Sequence, residues 1–144
     1  NTAEEVLSAW PVETTWQGDR AFYQTREDRI TMPAKKLFQT TEGMYSTWAH
    51  EQVHSTGHES RLNRDMGPET LVYAREELVA ELGAFLICNK LQICSDELNH
   101  AAYLKHWIEV LQQRPDALRL ALSDASKAAG LICKDLDQQV EVNM

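Results

Sequence analysis

The hydrophobic positions of the chain change period once. From Ala3 to Trp10 the pattern fits a short helix, which Pro11 stops. Residues 12–32 are rich in Val, Thr, Phe, Tyr and Ile, with polar breaks at 17–19 and 26–28, and so predict a small antiparallel sheet. A proline at 33, directly after "DRITM", places residues 28–32 on the sheet edge, bordering solvent or a groove. Beyond Gly43 the period becomes helical. Tyr45, Ala49 and Val53 recur at every fourth position as a core-facing stripe, with Gly57 as the stop. A longer helix is predicted from about Glu69 to Leu91, with Leu71, Leu78, Leu82, Phe85 and Cys88 turned inward. Two more follow: one with Leu104, Trp107, Ile108 and Leu111 on a face, and one opened by Pro115 with Leu118, Leu122, Ala125, Ala129 and Ile132 inward. Trp10, Trp16, Trp48 and Trp107 belong to the core or its margin, and the tail after Asp135 is polar. The expected class is α+β, mostly helical, with the sheet near the N-terminus.

With 144 residues, 43% of them apolar, the chain can bury one core and hardly two, so we expect a single domain over residues 1–144. Because it opens on Asn1, we expect it to be part of a longer protein. A net charge of -8 makes its surface a poor match for phosphate backbones, which argues against nucleic-acid binding by this segment. Cys88, Cys94 and Cys133 lack the spacing of a zinc ribbon or redox pair, and suit buried free thiols in a reducing compartment. The longest apolar run, Leu82 to Cys88, is too short to span a bilayer, and no signal peptide is in view. The expectation is a cytoplasmic protein with no membrane partner.

Charge and composition leave the function open; the histidines narrow it. In "AHEQVHSTGHESRL", His50 and His54 stand four apart on a predicted helix, so both rings leave one face a turn apart and can pinch one ion. Glu51 points beside that ion, close enough to take a proton from a water the ion activates. This is the HExxH pattern. The plainer reading is a helix face with two satisfied histidines, but the pair borders the apolar stripe and so faces the interior.

A catalytic zinc takes three protein ligands and leaves one position open. His58 follows His54 by four residues, yet a helix ending at Gly57 swings it away, and the metzincin spacing would place the third ligand at Ser60, which cannot serve. In "YAREELVAELGAFL", Glu77 and Glu81 lie on one face among Leu78, Val79, Leu82 and Phe85, where paired carboxylates are costly without a cation. Glu77 as ligand, with Glu81 fixing a histidine, matches the gluzincin spacing; the reverse assignment is also open. Glu76 is expected to be a solvated surface charge, and Gly83 to let the two site helices pack closely. Arg61 and Arg64 of "RLNR" could neutralise Glu77 or Glu81, or meet a substrate carboxylate. His100 and His106 have no ligand partner and are expected to be surface or packing residues.

The stretches "DRITMP", "HEQVHSTGHESRLNR", "YAREELVAELGAFL" and "AAYLKHWIEVLQQRPDALRLALSDASKAA" occur in an order that resembles the C-terminal zincin-like metallopeptidase domain of ArdC-type antirestriction proteins of plasmids and phages. The resemblance runs from about Ala21 to Leu131. Its most specific parts are the "TGHxSRLxR" extension and the "EELVAEL" helix. It implies a zincin-like fold, with His50 and His54 as metal ligands, Glu51 as acid/base, and Glu77 with Glu81 completing a Zn2+ site. It also implies an N-terminal domain, absent from this chain, that binds single-stranded DNA.

On this reading the domain hydrolyses a protein or peptide substrate, with Tyr73 or His58 as candidate donor to the oxyanion and residues 28–32 binding substrate backbone by strand addition. The alternative is a zinc-stabilised interaction module, docking through its two C-terminal helices without cutting. An inert helical bundle, holding no metal, is a third possibility.

Overall fold

The computed structural model describes residues 2–93 and 97–136, apart from the side chains of 97–100, 103 and 110. Cys94, the His100 side chain and the tail beyond residue 136 lie outside the described residues. Helix α1 (Thr2–Ala9) leads into three short strands, β1 (Thr14–Trp16), β2 (Phe22–Gln24) and β3 (Arg29–Met32). A 3-10 turn at Lys35–Leu37 precedes α2 (Thr41–Thr56), α3 (Thr70–Lys90), α4 (Glu97–Leu111) and α5 (Pro115–Ile132). The α+β, mostly helical class is thus as expected. No described helix is long and apolar enough to cross a membrane.

The sheet differs from the expectation in two ways. Its order is β1-β3-β2, with β2 antiparallel to β3 but β1 parallel to it, so the sheet is mixed. β3 is therefore the central strand, and residues 29–32 are flanked on both sides rather than at the edge. Pro33 does not conflict with this, because the strand ends at Met32 and the missing donor falls outside the ladder. Ile30 and Met32 point into the core and are fully buried.

Helix α2 starts where the Thr40 hydroxyl accepts from the Gly43 amide at 3.0 Å, and ends at Gly57, as predicted. Its stripe of Tyr45, Ala49 and Val53 is buried. Gln52 donates from Nε2 to the Leu7 carbonyl (2.8 Å), and Trp10 from Nε1 to Ser55 Oγ (2.8 Å), which fastens α1 to α2. Trp48 donates to Thr14 Oγ1 (3.0 Å) and stacks edge-on against Trp16, which fixes β1 on the same helix.

α3 lies at the centre of the helical layer and packs against α2, α4 and α5. One inward stripe therefore does not describe it: Ala74, Val79, Ala80, Gly83 and Ala84 are buried as well as Leu78 and Cys88, whereas Phe85 is 40% exposed. At Gly83 a Cβ would stand 2.8 Å from Val53 Cγ2, so the glycine sets the close approach of α2 and α3. Leu111, Ala125, Ala129 and Ile132 are buried as predicted, but Ile108 and Leu122 are exposed because their helices cover only one side of α3. Cys88 and Cys133 are both buried.

A candidate metal centre between α2 and α3

His50, Glu51 and His54 leave α2 toward α3, and Glu76, Glu77 and Glu81 leave α3 to meet them. The close seam at Val53 and Gly83 makes that meeting possible. His50 and His54 stand with ring centroids 4.9 Å apart, inclined at 75°. Each presents Nε2 to Glu77: 3.5 Å from His50 to Oε2 and 3.3 Å from His54 to Oε1. One ligand atom from each of His50, His54 and Glu77 lies within 4.8 Å of the other two. Ligands about 2.0–2.1 Å from a tetrahedral ion stand roughly 3.3 Å from one another, so the donor set and its spacing fit a divalent cation.

The other ring nitrogens are also held. His50 Nδ1 faces Glu81 Oε1 at 3.0 Å, and His54 Nδ1–H donates to Glu76 Oε2 at 2.8 Å. With Nδ1 protonated and engaged, loss of the Nε2 proton would leave that nitrogen of each ring available to a cation. Glu81 thus sits beside a histidine, and Glu77 between the two. Glu76 corrects the sequence reading: it is 3% exposed, not solvated, and Arg64 clamps it through Nε to Oε1 (2.9 Å) and Nη2 to Oε2 (3.0 Å). The arginines go elsewhere than expected, since Arg64 meets Glu76 rather than Glu77 or Glu81, and Arg61 meets Asp28. Spacing along α3 could not reveal Glu76; the available signal was the basic Arg64 in the loop just before it.

Burial opposes charge on both imidazoles, but Glu77 and Glu81 raise the His50 pKa to about 10, and Glu76 and Glu77 raise that of His54 to about 9. Glu77 is lowered far below the usual carboxylate range, its burial outweighed by hydrogen bonds from both rings. Glu76 is lowered in the same way by His54 and Arg64 against its burial. Glu51 moves in the opposite direction: burial raises its pKa against the pull of His50 and His54. A cation at the two Nε2 atoms must displace protons, so its binding depends on pH.

The site opens into a cleft of about 430 Å³, lined on one side by His50, Glu51, His54, Glu76, Glu77 and Tyr73, and on the other by Phe22 and Tyr23 of β2. Sequence reasoning missed β2, because it placed the edge at residues 28–32. Tyr73 does reach the cleft, one turn before Glu77, whose charge and then burial raise its pKa. His58 instead turns its ring to Ser60, 2.8 Å away.

The fold and the site together define the class: the chain belongs to the zincin-like metallopeptidase family, whose model matches residues 1–124. Among characterised relatives, it is 39% identical over 144 residues to a DNA primase TraC of Escherichia coli, covering 96% of this chain and 10% of that protein. Its structure is similar to that of the antirestriction protein ArdC from the R388 plasmid in a Mn(II)-bound form, with 33% identity, a TM-score of 0.80, and coverage of 92% of this chain and 51% of that one. The metal-free form of ArdC matches with 32% identity and a TM-score of 0.79, covering 95% and 51%. The chain thus spans a tenth of the TraC primase and about half of ArdC.

Proposed function

We propose that this domain is a zinc-dependent peptide hydrolase serving an ArdC-like antirestriction protein of a mobile element. The observation that carries the reading is the convergence of His50, His54 and Glu77 beside a buried Glu51 at the floor of an open cleft. Two imidazoles and one carboxylate are a donor set that suits zinc, although the ArdC relative was solved with Mn(II). When bound, the cation supplies a Lewis acid that polarises a carbonyl and acidifies water.

The chain's own residues do the rest. Glu51, with its raised pKa, accepts the proton that an attacking water loses as its oxygen bonds to the carbonyl carbon, then gives it to the nitrogen as the C–N bond breaks. Glu81 and Glu76 hold the rings of His50 and His54 in one tautomer and orientation. The Tyr73 hydroxyl, kept protonated by its raised pKa, donates to the oxyanion. Strand β2, an edge of the sheet that borders the cleft, takes the role foreseen for residues 28–32 and pairs with an extended protein or peptide substrate. Single-stranded DNA is a partner only through a region outside this chain.

A second reading, a zinc-stabilised interaction module docking through its two C-terminal helices, draws on the apolar side chains exposed there, Ile108 of α4 and Leu120 and Leu122 of α5. Glu51→Gln separates the two. The hydrolase loses at least about a hundredfold in peptide cleavage, the usual minimum for a general base, while keeping its zinc. If Glu51→Gln cleaves a peptide library as fast as the wild type, or the zinc-loaded wild type cleaves nothing, the hydrolase reading fails.

A further inference from the structure

The extension "TGHESRLNR" after the second histidine carries Gly57 and Arg64, and the hydrolase reading gives neither of them a task. We propose that Arg64 is a positioning residue for His54, acting through Glu76, and that residue 57 is glycine to let the Arg64 guanidinium reach its place beneath the end of α2. The inference rests on reading the cleft as a metal centre.

Arg64 is among the least exposed charged groups of the molecule, with 5% of its side chain accessible against 4% for Glu76. An ion pair this deep is poorly explained by stability alone, because desolvation of both charges offsets most of their attraction. Its geometry suggests a different role. The planar fork grips both oxygens of Glu76, at 2.9 and 3.0 Å. The remaining donors reach Thr56 Oγ1 (2.8 Å, from Nη1) and the Val53 carbonyl (2.9 Å, from Nη2), both in the last turn of α2. The guanidinium is therefore fixed in its plane by groups on two helices, and it fixes the Glu76 carboxylate in turn. The oxygen gripped by Nη2, Oε2, is the one that accepts from His54 Nδ1. A rotation of that carboxylate would turn the imidazole away from Glu77.

Gly57 completes the device. Its backbone is right-handed helical (φ -78°), so conformation alone does not call for glycine. A Cβ there would lie 2.9 Å from Arg64 Nη2, 3.0 Å from its Cζ and 2.6 Å from Met66 Sδ. Met66 can swing aside, but a guanidinium held by four hydrogen bonds cannot do so without releasing Glu76. The Arg64 amide also donates to the Gly57 carbonyl at 3.0 Å, which brings the loop back under the helix end. His50 is held by Glu81, one turn after Glu77 on α3.

The test is zinc affinity of the intact protein, measured by competition with a chromophoric chelator, alongside far-ultraviolet circular dichroism of the metal-free form. Arg64→Lys and Gly57→Ala should each weaken zinc by about 10- to 100-fold, the usual loss when an outer partner of a ligand is removed. Arg64→Lys should add little on a Glu76→Gln background, since both act on one imidazole, but its effect should multiply with that of Glu81→Gln, which acts on the other. Met66→Ala should not restore zinc affinity to Gly57→Ala. Gly57→Ala keeps every polar partner, so it decides the matter even where Arg64→Lys is unstable. Folded variants with wild-type zinc affinity, or a full added loss from Arg64→Lys on the Glu76→Gln background, overturn the inference and leave the metal centre standing. A wild-type protein that takes up no zinc overturns both.

Discussion

On one side of the cleft, α2, α3 and the loop between them set four carboxylates, two imidazoles and a guanidinium around a tight seam; on the other, three short strands present Phe22 and Tyr23. The helical wall is held by charge, and each group there has its protonation and orientation set by a neighbour, from Arg64 to Glu76 to His54 to Glu77. The strand wall is held by apolar burial at Ile30 and Met32, by the Trp48 bond to Thr14 and by a chain of polar groups. In that chain the Tyr23 hydroxyl donates to Asp28 Oδ1 (2.6 Å), Arg61 pairs with the same oxygen, and Arg61 Nε donates to the Ser55 carbonyl (2.8 Å). The contrast shows where each kind of damage should appear: in cation affinity for the first wall, in global stability for the second.

The largest expected effect is on the helical wall. Glu77→Ala should weaken zinc by more than the roughly 100-fold ceiling for an outer partner, because it removes a donor and leaves both Nε2 atoms without their shared acceptor. Calorimetric titration that found wild-type affinity would detach Glu77 from the cation. On the strand wall, Met32→Ala should cost about 2–5 kcal/mol in denaturant unfolding, as truncations of fully buried side chains do, while the folded variant binds zinc normally. A loss of zinc affinity at unchanged stability would reverse the comparison. Between the walls in size, Gly83→Ala should cost about 1–3 kcal/mol by overpacking against Val53, and should be relieved in the double variant with Val53→Ala.

The smallest effect concerns the polar chain. Asp28→Asn should cost about 1 kcal/mol or less, since its pair with Arg61 is only partly buried. Burial of Asp28 is outweighed by hydrogen bonds from Tyr23 and Arg61, so its folded pKa lies below the ordinary 3.8. The stabilisation is therefore complete above that value and disappears as pH falls through the lower folded one, where wild type and Asp28→Asn should converge in thermal unfolding.

The helical wall was largely legible in the sequence, because fixed spacing on a helix converts directly into a shared face: His50 with His54, and Glu77 with Glu81. Glu76 was not, since its burial depends on Arg64 arriving from a loop whose path no periodicity encodes. The strand wall was less legible. Strand content followed from residue type, but the insertion of β3 between β1 and β2 is a long-range choice, and with it went the identity of the strand facing the cleft. Phe85 misled for a related reason: a helix packed on several sides buries small residues such as Ala74, Ala80 and Ala84 along with Leu78 and Ile87, so a single stripe of large apolar residues did not mark the inner surface of α3.

Every group that converges on the candidate cation, together with the outer partners that orient it, comes from residues 50–81, two helices and the loop between them. Its contacts join residues 12 to 31 positions apart, so the centre forms only when the loop between the helices has closed and α3 has docked on α2. It also lies within one contiguous stretch of chain, so substitutions in the strands and flanking helices leave its donor set intact.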